Sequence, residues 1–328
     1  MNDNEKLGLV LCGGGCKGSF ELGVWKELTS LGITEKITGF SGTSIGAVNT
    51  ALFLANNSIE EKEDIWRSFK QNDMLDTKYS ALQVIGFLVT KNLLLLLSFF
   101  MIHGIFSQDK LTQLLGSLNF DEEKIRKYDI FSTVTDICGF KASTAFVDWS
   151  KLSIKDIKRA VLCSATLPIF NGSHISKQFL HLLVDGGVGD ALRHNLSNTP
   201  IAPLYAKGYR KFIVIYLSEE SSFDMQIQQE DTWFSGAEIC RIFPDEKLFK
   251  NKSALVRLAE INEDLTNERI EAGQNTVRNM IMNSEIHDFH YVKTSSEANE
   301  KSINIINDCI LLGEQIAKGD IPLNLYEV

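Results

Sequence analysis

Residues 40–49 read FSGTSIGAVN, and within them Gly42-Thr43-Ser44-Ile45-Gly46 is a G-x-S-x-G. A serine in this pattern sits on a tight strand-to-helix turn with its hydroxyl at the crest. The flanking glycines keep a Cβ from striking the neighbouring strand or helix. The surroundings have the required form. An apolar strand at 37–41 precedes the motif, and the small, apolar run AVNTALFLA (47–55) follows it as a helix. Ser44 is therefore a candidate nucleophile.

Upstream stands LVLCGGGCKGSF (9–20), another glycine cluster after an apolar run. Gly13, Gly15 and Gly18 match G-x-G-x-x-G, the pattern of a dinucleotide-binding loop. The same loop, Gly13, Gly14, Gly15, Cys16, Lys17 and Gly18, can instead present backbone N–H groups to a developing oxyanion. A dinucleotide site wants an acid about 20 residues on, at the end of the second strand. Here that strand runs into Ser41-Gly42-Thr43-Ser44, and the nearest acid, Glu35, precedes it. A P-loop fits worse, because it needs Gly-Lys-Ser/Thr and the chain has Lys17-Gly18-Ser19. Cys16 reads as a small spacer.

A serine nucleophile needs a base. The histidines, at 103, 174, 181, 194, 287 and 290, carry no local signature of a triad partner. FLHLLVDGGVGD (179–190) offers a carboxylate instead: Asp185 ends the apolar strand 182–184 and is followed by Gly186-Gly187. An Asp-Gly pair is also a common plain turn. A desolvated carboxylate beside the serine would have a raised pKa and could take its proton directly.

The rest of the chain frames these motifs. The net charge of −9 over 328 residues argues against a nucleic-acid partner. Six scattered cysteines (12, 16, 138, 163, 240, 309) without a C-x-x-C pair read as reduced core residues. No His/Cys ligand spacing and no carboxylate loop of the calcium type appears, so neither metal nor cofactor is expected. The polar start MNDNEKLG carries no secretory signal, which predicts a cytoplasmic location. Strands at 7–11, 37–41, 130–135, 144–147, 182–184 and 212–217 alternate with helices at 19–31, 47–55 and 154–162, which predicts a mainly parallel sheet with helices on both faces. On 19–31 the spacing puts Phe20, Val24, Leu28 and Leu31 on one face. After 217 the polar stretch 218–236 reads as a loop, and long helices follow at about 253–282 and 296–318.

Residues 81–106 form a separate apolar stretch whose only full charge is Lys91. Thr90-Lys91-Asn92 cuts it into pieces shorter than the roughly 20 apolar residues of a spanning helix. A core helix is the first reading and a membrane-surface or lid element the second. In the second, Leu95 and Phe99, one helical turn apart, would contact lipid.

GGGCKG, GTSIG and DGG, in this order and spacing, resemble the motifs of the patatin-like phospholipase family. GIFSQDKLTQLL (104–115), VTDICG (134–139) and CSATLPIF (163–170) resemble its connecting blocks. The resemblance covers about residues 7–217. It implies a three-layer α/β/α sandwich over 1–217. Residues 218–328 carry no motif of the family; their amphipathic helices are expected to pack on the same domain as a mainly helical extension, with partner binding as the second reading. The resemblance further implies a serine acyl hydrolase of lipid esters with a Ser44–Asp185 dyad and no catalytic histidine. The oxyanion hole would lie at Gly13–Gly18, the motif glycines would be Gly42, Gly46, Gly186 and Gly187, and the partner would be a lipid, with peripheral membrane contact. The family brings an Asn and a Pro soon after D-G-G. Here the step is delayed, with Asn195 or Asn198 and Pro200 as candidates. A dinucleotide-binding protein and a weakly active lipid-binding scaffold are the alternative readings.

Overall fold

The computed structural model describes residues 6–70, 108–138, 141–167, 174–176, 181–189, 196–222, 224–245, 248, 260–283, 292–293, 300–321 and 323. The apolar stretch 81–106, with Leu95 and Phe99, and all but its end at 108–115 of the block 104–115 lie outside the described residues.

The chain opens with β1 (Leu7–Leu11), α1 (Ser19–Ser30), β2 (Ile37–Thr43), α2 (Ile45–Leu54) and α3 (Ile59–Ser68). It continues through α4 (Asp109–Ser117), α5 (Glu122–Ile125), β3 (Asp129–Cys138), β4 (Lys141–Asp148), α6 (Ile154–Ser164), β5 (His174–Ser176) and β6 (His181–Asp185). The last part holds α7 (Ala202–Ala206), β7 (Lys211–Ile215), α8 (Asp224–Trp233), β8 (Glu238–Ile242), α9 (Glu263–Asn283), β9 (Val292–Lys293) and α10 (Glu300–Lys318). The strands form one sheet in the order β5-β6-β3-β2-β1-β7-β8-β9, with β4 also on β3. Its centre, from β3 to β8, is parallel. β4, β5, β6 and β9 pair antiparallel at the flanks.

Period-two alternation divides the core between the two faces of the sheet. Leu7, Leu9 and Leu11 of β1 join Ile213 and Ile215 of β7 in a core shared with α1, α2, α6 and α9. Val10, Phe212, Val214 and Ile239 point the other way, into a core shared with α7, α8 and α10. The result is a helix–sheet–helix sandwich, as the strand–helix alternation predicts. The central sheet does not stop at residue 217, because β8 continues it in parallel beside β7.

Three sequence expectations need correction. Leu31 is 44% exposed, because α1 ends at Ser30 and Leu31 lies past its buried face. Cys138 is exposed rather than part of the core, although all six thiols are free. The polar stretch 218–236 contains a helix, α8. Its inward positions include Gln226 and Glu230, not an apolar stripe. Glu230 accepts from Tyr216 (2.7 Å), Gln226 (2.9 Å) and Arg241 (3.3 Å), so hydrogen bonding seats the helix where hydrophobic periodicity would not reveal it.

The first-face helices are locked by a glycine crossing. A methyl at Gly23 of α1 would run into the Ile270 carbonyl of α9, and one at Gly273 of α9 into the Phe20 carbonyl of α1. Helix propensity alone would make Gly23→Ala stabilising by about 1 kcal/mol. Crowding against backbone reverses the sign, since overpacking costs about 1–3 kcal/mol and the carbonyl cannot rotate away. Urea unfolding is expected to find both Gly23→Ala and Gly273→Ala less stable than the parent chain; a gain in either would show that the helices separate freely.

Candidate active site

The site is assembled on one edge of β3. β4 occupies the other edge along Phe131–Cys138. β2 and β6 must therefore share what remains: β2 pairs with the first half of β3 and ends at Thr43 opposite Thr133. β6 pairs with the second half and ends at Asp185 opposite Val134. The two strands run toward each other, and their carboxyl ends meet at adjacent rungs. A methyl on Gly186 would lie 2.6 Å from Thr133 O and 2.9 Å from Thr43 Cγ2, a measure of how closely the ends abut. Ser44 and Asp185, the residues at this junction, are thereby brought together.

Ser44 turns the chain from β2 into α2 with φ 56° and ψ −123°, the one non-glycine residue with positive φ among those described. Such a conformation costs of order 1–3 kcal/mol and must be held by its surroundings. The Ser44 N–H donates to Ser164 Oγ at 2.9 Å, and that hydroxyl donates to Thr133 O at 2.6 Å. Gly42 and Gly46 meet backbone where a Cβ would sit, at Gly46 O and Leu11 O respectively. The turn closes only with glycine at both places.

Asp185 is 2% exposed. Its Oδ1 accepts from Gly187 N–H at 2.7 Å, and its Oδ2 is buried without a hydrogen bond of good geometry. Burial raises the carboxyl to about 6, while the adjacent Ser44 hydroxyl and the Gly187 N–H pull it back down. The serine hydroxyl is therefore near enough to the Asp185 carboxyl to favour its ionised form.

The glycine-rich segment leads from β1 into a short 3-10 turn, Gly15–Gly18. Its carbonyls are held by side chains from three remote places. Gly13 O accepts from Asn198 Nδ2 (3.4 Å), Cys16 O from Arg269 Nη1 (2.9 Å), and Gly18 O from Asn49 Nδ2 (2.9 Å). Among the described residues no acceptor takes the N–H of Gly14 or Gly15. A methyl on Gly13 would lie 3.3 Å from Ser44 Cβ, so the segment passes directly beside the serine. Lys17, buried, donates from Nζ to Ser218 Oγ at 2.9 Å. Burial pushes the Cys16 thiol up to about 12, which leaves it protonated and a poor nucleophile at neutral pH.

Residues 197–200 cross over the ends of β1 and β2. Gly13 N–H donates to Asn198 O (3.2 Å), Ser41 Oγ to Pro200 O (2.5 Å) and Thr43 Oγ1 to Ser197 O. Asn198 and Pro200 therefore lie against the glycine-rich segment and β2, whereas Asn195, the other candidate for the delayed Asn, lies outside the described residues.

His181 is the one histidine whose side chain is described, and the sequence had not set it apart. Its Nδ1 lies 2.5 Å from Asp136 Oδ2. The pair lines a cavity of about 610 Å³ between β3, β4, β6 and α10, and neither Ser44 nor Asp185 contributes to that lining. The pairing joins residues 45 apart in sequence, so no local spacing could reveal it. Among the described residues no cluster of three or more His, Cys, Asp or Glu is arranged to hold a metal. Among the same residues no helix is long and apolar enough to cross a membrane.

The patatin-like phospholipase family model matches residues 9–205. No curated protein sequence matches the chain. Among solved structures, VipD from Legionella pneumophila is 11% identical, over 97% of this chain and 73% of that one, with a TM-score of 0.45. ExoU, a type III effector of Pseudomonas aeruginosa, is 11% identical over 95% of this chain and 60% of its own, with a TM-score of 0.41. Human GIVD cytosolic phospholipase A2 is 12% identical over 70% of this chain and 45% of its own, also with a TM-score of 0.41. The chain is thus shorter than each of these proteins. The family match runs from β1 into α7 and covers more than half of the residues, and the chain belongs to the patatin-like phospholipase family.

Proposed function

We propose that the chain is a serine acyl hydrolase that cleaves fatty-acyl esters of lipids through a Ser44–Asp185 dyad. The observation that carries this reading is the meeting of β2 and β6 on β3, which sets a serine on a strained turn against a buried carboxyl of raised pKa. Asp185 accepts the proton of Ser44 Oγ as that oxygen attacks the ester carbonyl carbon. Negative charge then develops on the carbonyl oxygen. The N–H groups of Gly14 and Gly15, at the start of a helical turn and beside Ser44, are placed to receive it. Collapse breaks the ester C–O bond, and Asp185 returns the proton to the departing alkoxide. The acyl group remains on Ser44. Water, deprotonated by Asp185, attacks the acyl-serine carbonyl, and the fatty acid leaves as Ser44 recovers its proton.

Burial serves this cycle. An ordinary aspartate is too weak a base at neutral pH to compete for a hydroxyl proton, and desolvation strengthens it. The lipid substrate, in turn, gains roughly 0.8 kcal/mol for each methylene it buries, so an acyl chain needs an apolar surface near Ser44.

A fluorophosphonate probe is expected to form one adduct, located on Ser44 by mass spectrometry and absent from Ser44→Ala. An adduct on another serine, or none in folded protein, would sink the proposal. Asp185→Asn keeps the side-chain shape but cannot accept a proton. It should lower ester hydrolysis by at least about 10²-fold, whereas His181→Ala should stay within tenfold of the parent.

The raised carboxyl also sets two pH dependences. The plot of kcat/KM should fall below pH about 6 as Asp185 takes up a proton. For stability, a carboxyl near 6 in the folded chain and 3.8 when unfolded means that the folded state binds more protons between those values. Stability contributed by this group is therefore full below the unfolded value, falls as pH rises through the window, and is flat above it. Asp185→Asn should show a Tm advantage over the parent that is small near pH 4, grows to about pH 6 and then holds. A constant offset at every pH would assign the raised carboxyl no role in stability.

A further inference from the structure

Arg269 stands on α9, beyond the end of the family match at residue 205. It is 3% exposed. Its Nη1 donates to Cys16 O at 2.9 Å and to Glu260 O at 3.1 Å. Cys16 lies in the middle of the glycine-rich turn, 253 residues away in sequence. Of the three side chains that hold this turn by its carbonyls, Asn198 and Asn49 are neutral amides, and Arg269 alone is a cation.

We infer that Arg269 is a positioning residue for the oxyanion loop, supplied by the C-terminal helix α9. The inference rests on the reading of Ser44 and the loop given above. A guanidinium is a rigid fork, and it fixes an acceptor's direction better than a flexible ammonium does. Here it binds two carbonyls at once, one from the loop and one from the segment leading into α9. The Cys16 carbonyl shares its peptide plane with the Lys17 N–H. Fixing that plane fixes the pitch of the turn that aims the Gly14 and Gly15 N–H groups. The buried positive charge also lies within hydrogen-bond distance of the turn and so favours negative charge arriving there. The helix that carries Arg269 is itself seated rigidly. Gly273 lies one turn further along α9 and abuts the Phe20 carbonyl of α1, and α1 begins where the glycine-rich turn ends. The route from Arg269 to the loop therefore has a direct hydrogen bond and a close-packed helix crossing. On this view residues 218–328 belong to the same working unit as the motifs of 1–217.

The test uses the full chain, with p-nitrophenyl butyrate as reporter ester and the rate of fluorophosphonate labelling as the second readout. Arg269→Gln keeps an N–H donor but removes the charge. It should lower kcat by about tenfold or more, below the 10²–10³ lost with a direct oxyanion donor. KM should stay within about threefold, and the probe should react more slowly by the same factor as kcat. Arg269→Lys keeps the charge without the fork and should fall between Arg269→Gln and the parent. Near-UV circular dichroism and a thermal melt establish that each variant is folded. Parent-level kcat in folded Arg269→Gln would overturn the inference, as would a loss confined to KM. If Arg269→Gln does not fold, Arg269→Lys decides: folded protein at parent kcat leaves only a structural role and overturns it. A parent chain that the probe does not label strikes the Ser44 reading first, whereas a labelled parent with an indifferent Arg269→Gln removes only this inference.

Discussion

The candidate site depends on β2 and β6 ending at neighbouring rungs of one edge of β3. With β4 along its other edge, β3 can accept only strands that divide its length, and the two that do so run in opposite directions. Their carboxyl ends must then face each other. The consequence is a junction in which Thr43 and Asp185 stand opposite consecutive residues, Thr133 and Val134. Backbone pairing sets this placement, and backbone ladders define position along a strand to within one residue because a slip inverts every side chain. Two candidate residues separated widely in sequence are thus held next to each other by strand pairing along one edge of β3.

The strain at Ser44 is maintained by that rigidity. Its backbone could relax only if the β2–α2 turn opened, and Ser164, Gly42, Gly46 and residues 197–200 close in from several sides. Behind the turn lies a further buried polar network. Glu21 of α1 accepts from Asn49 Nδ2 at 2.7 Å, and Asn49 Oδ1 accepts from Trp66 Nε1 at 3.1 Å. Burial pushes the Glu21 carboxyl well above the ordinary carboxylate range and disfavours its ionised form. A neutral acid can sit there at far lower cost than an ion. The network ties the start of α1, the helix after Ser44 and the Gly18 carbonyl into one unit, so the two glycine motifs share a support.

Burial has opposite consequences at the two ends of the junction. For the hydrophobic faces of the sheet it is the main source of stability. For Asp185 it disfavours the ionised form, the very form a proton acceptor needs at neutral pH. A carboxyl of this kind weakens the fold as pH rises, and the surrounding sheet must offset that loss. Functional sites often keep such locally unfavourable groups. Here the compensation comes from the antiparallel pairing of β6 with β3 and β5 on either side.

Sequence alone determined what depends on neighbours in the chain. The alternation of apolar strands with helices gave the sandwich, and the spacing of G-x-S-x-G between a strand and a helix marked a turn at Ser44. The two glycine clusters and Asp-Gly-Gly are read through steric rules that act over a few residues, and they sufficed to name the family and the candidate residues. The structure alone decided what depends on segments far apart. It laid Asn198 against the end of β1, paired His181 with Asp136, extended the sheet to β8, and seated α8 by hydrogen bonds to Glu230 where no apolar stripe announced a helix. It also brought Arg269 to Cys16. None of these leaves a period or a motif in the sequence, because each arises where packing and strand register bring distant backbone together, and a short window of residues contains only one side of such a contact.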